Sequence, residues 1–452
     1  MTIDLRAAIA RGAGALARAG GHGGTSLPGK VLLALDPGAI ARLGSALPDG
    51  SVLISATNGK TTTAAFAAQV LAAAGVPTVH NVAGANMAGG VASALLSGGR
   101  GARLGLFEVD EFWLADLAAA LAPRALVLSN LFRDQLDRYG ELESIALRWA
   151  AVVAEAPGAL VLAADDPLVA DLGRERPDTI YFGIEDESAA SARGLVHAAD
   201  SKRCRNCGAD YAYAHVYVAH LGSYACPGCG RRRPQPHVSA SEISLDGLRG
   251  ASFTLQTPDG STRVRTSLPG LYNVYNALAA AALATALGVA LEAIAAGLAA
   301  TSAVFGRGER IRVGNRELSI LLVKNPAGAN EVLRLLGAQD GSHDVLAVLN
   351  DAIADGRDVS WIWDADYETL APRIHHVTCS GTRAAELALR MKYAGVPAER
   401  ITVTAELPRA LDGALERAQG GELYALPTYT AMLALRELLV RRGHAASSWA
   451  RA

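Results

Sequence analysis

Residues 52–63 read Val52-Leu53-Ile54-Ser55-Ala56-Thr57-Asn58-Gly59-Lys60-Thr61-Thr62-Thr63, and Ala64-Ala-Phe-Ala-Ala-Gln-Val-Leu follows. A short apolar run, a polar turn ending in Gly-Lys-Thr and a helix-forming stretch give strand, loop and helix in the order a phosphate-binding loop requires. Backbone N–H groups at the helix start would cradle phosphate oxygens, with the helix dipole adding a favourable field. On this reading Asn58, Gly59, Lys60, Thr61 and Thr62 form the nucleotide contact. Lys60 supplies a point charge to the β/γ-phosphates, and Thr61 places its hydroxyl on Mg²⁺. The general G-x-x-x-x-G-K-[ST] pattern is incomplete, because Ile54 stands at its first glycine. Gly-Lys-Thr alone also serves as an ordinary helix start, so the flanking strand and helix carry the nucleotide reading.

The same alternation extends outward from this loop. Leu104–Phe107 and Ala125–Ser129 are further buried-strand candidates, each before an acidic or polar turn. Short apolar runs alternating with helices predict an α/β domain with a mainly parallel sheet, here over 48–304. Residues 1–47 precede it as an Arg- and Ala-rich helical segment with a Gly-rich turn from Gly20 to Gly24. A β-rich stretch runs from Ala251 to Leu268. Ala277 to Ala300 is Ala-rich, interrupted by Glu292 and without flanking anchors, so it reads as two buried helices broken near Gly288 rather than a membrane span. A boundary falls between Ser302 and Glu309. Beyond it, 305–452 form a second, Rossmann-like α/β region, with strands near Leu318–Val323, Val345–Leu349, His376–Cys379 and Ile401–Val403.

Four of the five cysteines fall in one window: Cys204-Arg-Asn-Cys207 and, after eighteen residues, Cys226-Pro-Gly-Cys229. Two C-x₂-C knuckles at this spacing predict a tetrahedral Zn²⁺ site in a ribbon inserted at about 200–235. Gly208 and Gly230 each follow the second cysteine of a knuckle, where a turn can need positive φ. Two disulfides or reduced core thiols are the other reading. With no leader segment recognised, a cytoplasmic chain is expected, and disulfides are rare there. A closed four-cysteine site is structural and names no function.

The 452-residue chain is long enough for several domains with substantial cores. Its net charge of −2 gives no global basic field for nucleic acid. Only five of the 42 basic residues are lysine.

The chain resembles the Mur ligase family over nearly its whole length. Thr57-Asn-Gly-Lys-Thr-Thr62 resembles the family's ATP loop, which usually has glycine where Ala56 stands. Glu108-Val-Asp110-Glu111 resembles its acidic metal motif. Asn130-Leu-Phe-Arg-Asp134-Gln135-Leu-Asp137-Arg138 resembles its N-x-x-x-D-H-L-D segment, with Gln135 in place of histidine. Gly270-Leu-Tyr-Asn273-Val-Tyr-Asn276-Ala-Leu-Ala-Ala resembles its adenine-site helix, and Gly306-Arg307-Gly-Glu309-Arg310 its G-R-x-E junction. The four-cysteine insertion, with Lys324-Asn-Pro-Ala-Gly328, Asn350-Asp351, Asp355-Gly356-Arg357-Asp358, Trp361 and Pro427-Thr-Tyr-Thr430, resembles the amidating branch of that family.

That resemblance implies an ATP- and Mg²⁺-dependent ligase. Its substrate would be the D-glutamate α-carboxyl of the peptidoglycan precursor lipid II, converted to an acyl phosphate and then to an amide. Ammonia would come from a GatD-like glutaminase partner, and the chain would touch the inner membrane face only peripherally. Lys60 and Glu108 would serve the chemistry, with Thr61 and Glu108 on Mg²⁺. Asn273, Asn276, Arg307 and Lys324 would contact nucleotide. Asp351, at a strand end, would point into the partner and orient the glutaminase histidine.

Local alternatives stand beside these roles. Glu108 and Asp110 are i and i+2 and could hold Mg²⁺, or could begin a helix at Asp110. Asn273 could cap a helix, as could Asp351 for one starting near Ala352. Amino-acid-adding relatives carry a carbamylated lysine, and the nearest lysine, Lys202, abuts a zinc knuckle instead. His375 and His376 lie near Cys379, but on a strand that suits packing better than nucleophilic chemistry. Two rival functions are an amino-acid-adding Mur or folylpolyglutamate-type ligase, and a zinc-ribbon nucleic-acid-binding protein relying on Arg231-Arg232-Arg233.

Overall fold

The computed structural model describes residues 5–19, 26–81, 84–98, 101–134, 142–191, 200–302, 307–419 and 421–446. Val52, Leu53 and Ile54 are fully buried, and they place β1 (Ser51–Ser55) inside a nine-stranded sheet. Its other members are β2 (Thr78–His80), β3 (Leu104–Glu108), β4 (Ala125–Leu128), β5 (Ala159–Ala163), β6 (Ile180–Ile184), β9 (Val238–Leu245), β10 (Ala251–Thr257) and β11 (Gly260–Thr266). The order is β11-β10-β9-β6-β5-β4-β1-β3-β2. Every pairing from β2 to β9 is parallel, and only the β9-β10-β11 edge is antiparallel. A parallel strand covered on both faces must be apolar at successive positions, which is why β1, β3 and β4 read as continuous runs.

The helix after the loop spans Lys60–Ala73, beginning four residues before the Ala64 stretch. It packs against Leu271–Ala286 and Leu291–Ala300, separated at Gly288, which has φ +73°. Gly297 sets the closeness of that contact, since a Cβ there would sit 2.3 Å from the Cα of Val70. The N-terminal helices Leu5–Ala19, Leu27–Leu35 and Ala39–Gly44 form a small core of their own with Leu96. The Gly20–Gly24 turn lies outside the described residues.

Between β6 and β9 the chain leaves the sheet and forms an antiparallel hairpin, β7 (Ala212–Val218) and β8 (Leu221–Ala225), flanked by the two cysteine knuckles. The chain then enters a second sheet ordered β12-β13-β17-β14-β15-β16. Its strands are β12 (Arg307–Val313), β13 (Arg316–Leu321), β14 (His343–Val348), β15 (Ile374–Ser380), β16 (Ile401–Val403) and β17 (Glu422–Pro427). It is parallel except for the β12–β13 hairpin. Alternate residues of β14 serve different cores: Val345 and Ala347 pack on one face, Leu346 and Val348 on the other. Cys379 is fully buried in β15, and burial pushes its thiol up to about 12, in keeping with a packing role. No described helix is long and apolar enough to cross a membrane.

Gly297→Ala should push two helix backbones apart and cost about 1–3 kcal/mol, read as a lower urea midpoint at unchanged m.

Candidate active site and metal centre

The loop after β1 is held open by its neighbours. Asn130 braces it from β4, with its side-chain oxygen accepting from the Asn58 amide at 2.9 Å and its Nδ2 donating to the Asn58 carbonyl at 3.0 Å. Gly59 has φ +88°, and a Cβ there would lie 2.0 Å from Asn276 Oδ1. Only glycine combines that left-handed turn with that approach. Asn276 Oδ1 also accepts from the Thr63 hydroxyl at 3.3 Å, and its Nδ2 donates to Asn273 Oδ1 at 3.0 Å. Asn273 donates in turn to the Pro269 carbonyl at 2.8 Å. Gly270, not Asn273, is the N-cap of this helix, so the capping alternative falls. Asn276 lines the central cavity, and Asn273 supports it from behind.

Lys60 is buried and donates to the Ala56 carbonyl and, at 3.0 Å, to Glu111 Oε2. Burial alone would lower its pKa. The negative charges of Glu111 and Asp110, with Glu108 beyond, outweigh that and hold the ammonium above its ordinary value. Glu108, at the end of β3, is fixed through its backbone: Asn81 Oδ1 accepts from its amide at 2.9 Å, and Asn81 Nδ2 donates to its carbonyl at 2.8 Å. Glu108, Asp110 and Glu111 all line the cavity with Lys60 and Thr62. Asp110 begins no helix; Phe112 N donates to its Oδ1 at 3.1 Å, and the helix starts at Leu114. The Thr61 hydroxyl oxygen is buried without a hydrogen-bond partner. Thr61 is not among the residues lining the cavity, whereas Glu108, Asp110 and Glu111 bring to it hard carboxylate oxygens of the kind Mg²⁺ takes.

The second sheet closes the cavity from the other side. Lys324 donates to the Thr57 carbonyl at 3.1 Å and pairs with Asp134 at 2.5 Å. Asn58 and Asn325 exchange side-chain hydrogen bonds of 3.1 Å in both directions. Asn325 also caps the Pro326–Gly337 helix, its Oδ1 accepting from Gly328 N at 2.9 Å. Arg307 opens β12 beside Leu321, and nothing is described of its side chain. Gln135, Asp137 and Arg138 lie outside the described residues.

Asp351 does not line this cavity. It sits in an exposed turn, with no helix at Ala352, so its reading as a helix cap falls. Its carboxylate accepts from the Thr382 hydroxyl at 2.8 Å and pairs with Arg383 at 3.2 Å. The Thr382 hydrogen bond, followed by the Arg383 contacts, lowers its pKa. The turn is anchored by neighbouring sequence motifs. Asn350 N donates to Thr428 Oγ1 at 3.0 Å, Asn350 Nδ2 donates to Thr430 Oγ1 at 3.0 Å, and Thr430 N donates to Asp355 Oδ1 at 2.7 Å. Ala354, three residues after Asp351, lines the cavity.

The four thiols of Cys204, Cys207, Cys226 and Cys229 lie within 4.8 Å of one another, with sulfur pairs at 3.3 and 3.6 Å. Disulfides require about 2.05 Å, whereas such spacings suit four sulfurs around one tetrahedral ion. Gly208 and Gly230 have φ +75° and +74°, as the knuckle turns require. In the basic cluster, Arg231 pairs with Asp171 at 2.8 Å and Arg233 with Asp165 at 2.7 Å. These two charges are neutralised within the fold, which removes most of the support for nucleic-acid binding.

The family model of the Mur ligase middle domain matches residues 54–224, and that of the MurT ligase C-terminal domain matches 322–432. The chain is 34% identical to the MurT subunit of lipid II isoglutaminyl synthase (glutamine-hydrolyzing) from Streptococcus pneumoniae, over 93% of both chains. This protein belongs to the MurT family of Mur ligases. The Staphylococcus aureus MurT subunit is 33% identical over 94% of each chain. Among solved structures, a pseudomurein peptide ligase type C from Methanothermus fervidus superposes with a TM-score of 0.71 at 24% identity, covering 89% of this chain and 80% of that one. The fold is thus the Mur ligase fold, and in this chain it carries the four-cysteine ribbon and the Asp351 turn.

Sequence reasoning gave no role to Glu111 and Asn130, which line the cavity, or to Asn325, which bonds Asn58 of its loop. Glu111 was visible only as the third acid of its motif; its pairing with Lys60 spans 51 residues.

Replacing Cys204 or Cys226 with serine should reduce bound zinc from one ion per chain to none, measured by elemental analysis, and lower the melting temperature.

Proposed function

We propose that the chain is the synthetase subunit of a lipid II isoglutaminyl synthase. It would use MgATP to amidate the α-carboxyl of the D-glutamate in the stem peptide, with ammonia from a glutaminase subunit. The observation that carries this reading is one cavity lined by Lys60, Glu108, Asp110 and Glu111 from the first domain and by Lys324 and Gly328 from the second. MurT-named relatives matching over 93% of the chain support the substrate assignment.

In the proposed reaction the substrate carboxylate attacks the γ-phosphorus and ADP leaves with the bridging oxygen's electron pair. Ammonia then attacks the acyl carbon, phosphate departs and nitrogen loses a proton. Lys60 would turn from Glu111 to the γ-phosphate and stabilise the charge spreading over its oxygens. Thr61 and Glu108 would hold Mg²⁺, which neutralises phosphate charge when bound. Asn276 and Lys324 would position the nucleotide. Drawing the two sheets together across the Asn58–Asn325 contact would exclude water from the acyl phosphate. The four cysteines would hold a structural Zn²⁺.

Asp351 would act on the partner. Its lowered pKa keeps it an anion that can accept Nδ1–H from a glutaminase histidine, fixing the tautomer and stabilising the imidazolium. Ala354 lies only three residues away, at most about 11 Å along the chain, so a partner docked at Asp351 would release ammonia beside the cavity.

With lipid II and ATP, the chain should form ADP and amidated product from ammonium alone, but from glutamine only with its glutaminase partner. Mass spectrometry distinguishes an amide from an added amino acid, and the latter product would defeat the reading. Lys60→Ala should lower ADP formation by about 10²-fold or more while leaving partner binding intact. Asp351→Asn should leave ammonium-driven amidation unchanged and cut the glutamine-driven rate, by up to about 10⁴-fold if the carboxylate completes a triad. An equal loss from both nitrogen sources would exclude that role.

A further inference from the structure

We propose that the four-cysteine ribbon builds one wall of the nucleotide cleft and holds the adenine end of the bound nucleotide through Val218 and Leu221. This rests on the nucleotide reading above and gives the ribbon a task beyond carrying a metal. The cysteines are remote in packing terms: Cys204 and Cys226 form a separate small cluster with Tyr211 and Tyr224. The hairpin tip behaves differently. Val218 and Leu221 flank the Ala219-His220 turn, belong to the main core that contains β1, and line the same cavity as Lys60.

Three contacts bolt the ribbon to this cleft. At the tip, His220 is fully buried, 3.3 Å from Asp166 Oδ2 and edge-on to Phe132 at 5.0 Å between ring centres. Asp166 also accepts from Leu131 N at 2.9 Å, so the tip is tied to the segment that begins with Asn130, the brace of the phosphate loop. On the leading side, Arg133 N donates to Asp200 at 3.0 Å. On the trailing side, Arg233, four residues after Cys229, donates to Asp165 at 2.7 Å. The other oxygen of Asp165 accepts from the Tyr275 hydroxyl at 2.5 Å, and Tyr275 lines the cavity next to Asn276.

The cavity offers two kinds of surface. Lys60 and its neighbouring acids supply charge, while Phe132, Val218, Leu221 and Tyr275 supply apolar and aromatic surface. A nucleoside triphosphate likewise has two parts, a polyanion at one end and a planar, largely apolar base at the other. The tetrahedral ion would fix the two knuckles, and through them both strands leading to the tip.

The test is calorimetric binding of MgATP and MgADP to the full-length chain in complex with its glutaminase partner, with zinc content measured on each sample. Leu221→Ala should weaken both nucleotides about 10-fold or more at unchanged zinc content, and raise KM for ATP without changing KM for ammonium. Val218→Ala should show the same pattern with a smaller shift and stands in if Leu221→Ala does not fold. A folded, zinc-replete variant of either kind binding within about twofold of wild type would overturn the inference while leaving the proposed function in place. A wild-type complex that binds no MgATP would overturn both.

Discussion

The site depends on the close approach of Gly59 to Asn276. The helix carrying Asn276 comes so near that no side chain can stand between them, and the loop must turn through a left-handed residue there. This contact joins the loop after β1, a strand buried between β4 and β3, to a helix more than 200 residues later in the chain. Gly59, Lys60 and Thr62 at the start of the Lys60–Ala73 helix line the cavity, and Asn276 is part of the same wall. Asn130 and Asn273 then act as braces for the two sides of the contact.

Charge imposes the next constraint. Lys60 shares the cavity with Glu108, Asp110 and Glu111, and Lys324 is neutralised by Asp134. A triphosphate entering this set would meet more negative than positive charge, so Lys60 alone cannot hold it. A divalent cation between the acids and the phosphates would resolve the imbalance, with the carboxylates of Glu108, Asp110 and Glu111 as the oxygens the cavity offers it. Glu111 then keeps the buried ammonium paired while the cleft is empty, since an unpaired buried charge would be costly.

Much of this was legible in the sequence because it is local. β1, β3 and β4 announce themselves as apolar runs, the knuckle glycines adopt the turns their spacing implies, and the break at Gly288 falls where composition placed it. What stayed hidden is set by long-range pairing. β17 lies in the middle of the second sheet, between β13 and β14, yet Glu422–Pro427 carries no signal of that rank. β12 occupies what reads as a boundary. Arg231 and Arg233 look like a basic surface until Asp171 and Asp165 are brought to them by the fold. Asn273 and Asn276 share a helix face, but only the structure separates the cavity-lining residue from its support.

The contacts between the two sheets suggest why the cleft can open and close. Asn58 and Asn325 are neutral amides, so breaking their reciprocal bonds exposes groups that water satisfies at little net cost, about 0.5–1.5 kcal/mol each. The Lys324–Asp134 pair is only partly buried and is likewise exchangeable for phosphate. By contrast, the ties from the first sheet to the ribbon run through fully buried Asp165 and Asp166, whose loss would strand charged partners in the core. Closure is therefore expected to move the second sheet, with the Asp351 turn riding on it, against a first sheet and ribbon that stay rigid together. In the proposed reaction that division would suit an acyl phosphate, which needs a wall that does not yield on one side and, on the other, a door through which ammonia would enter.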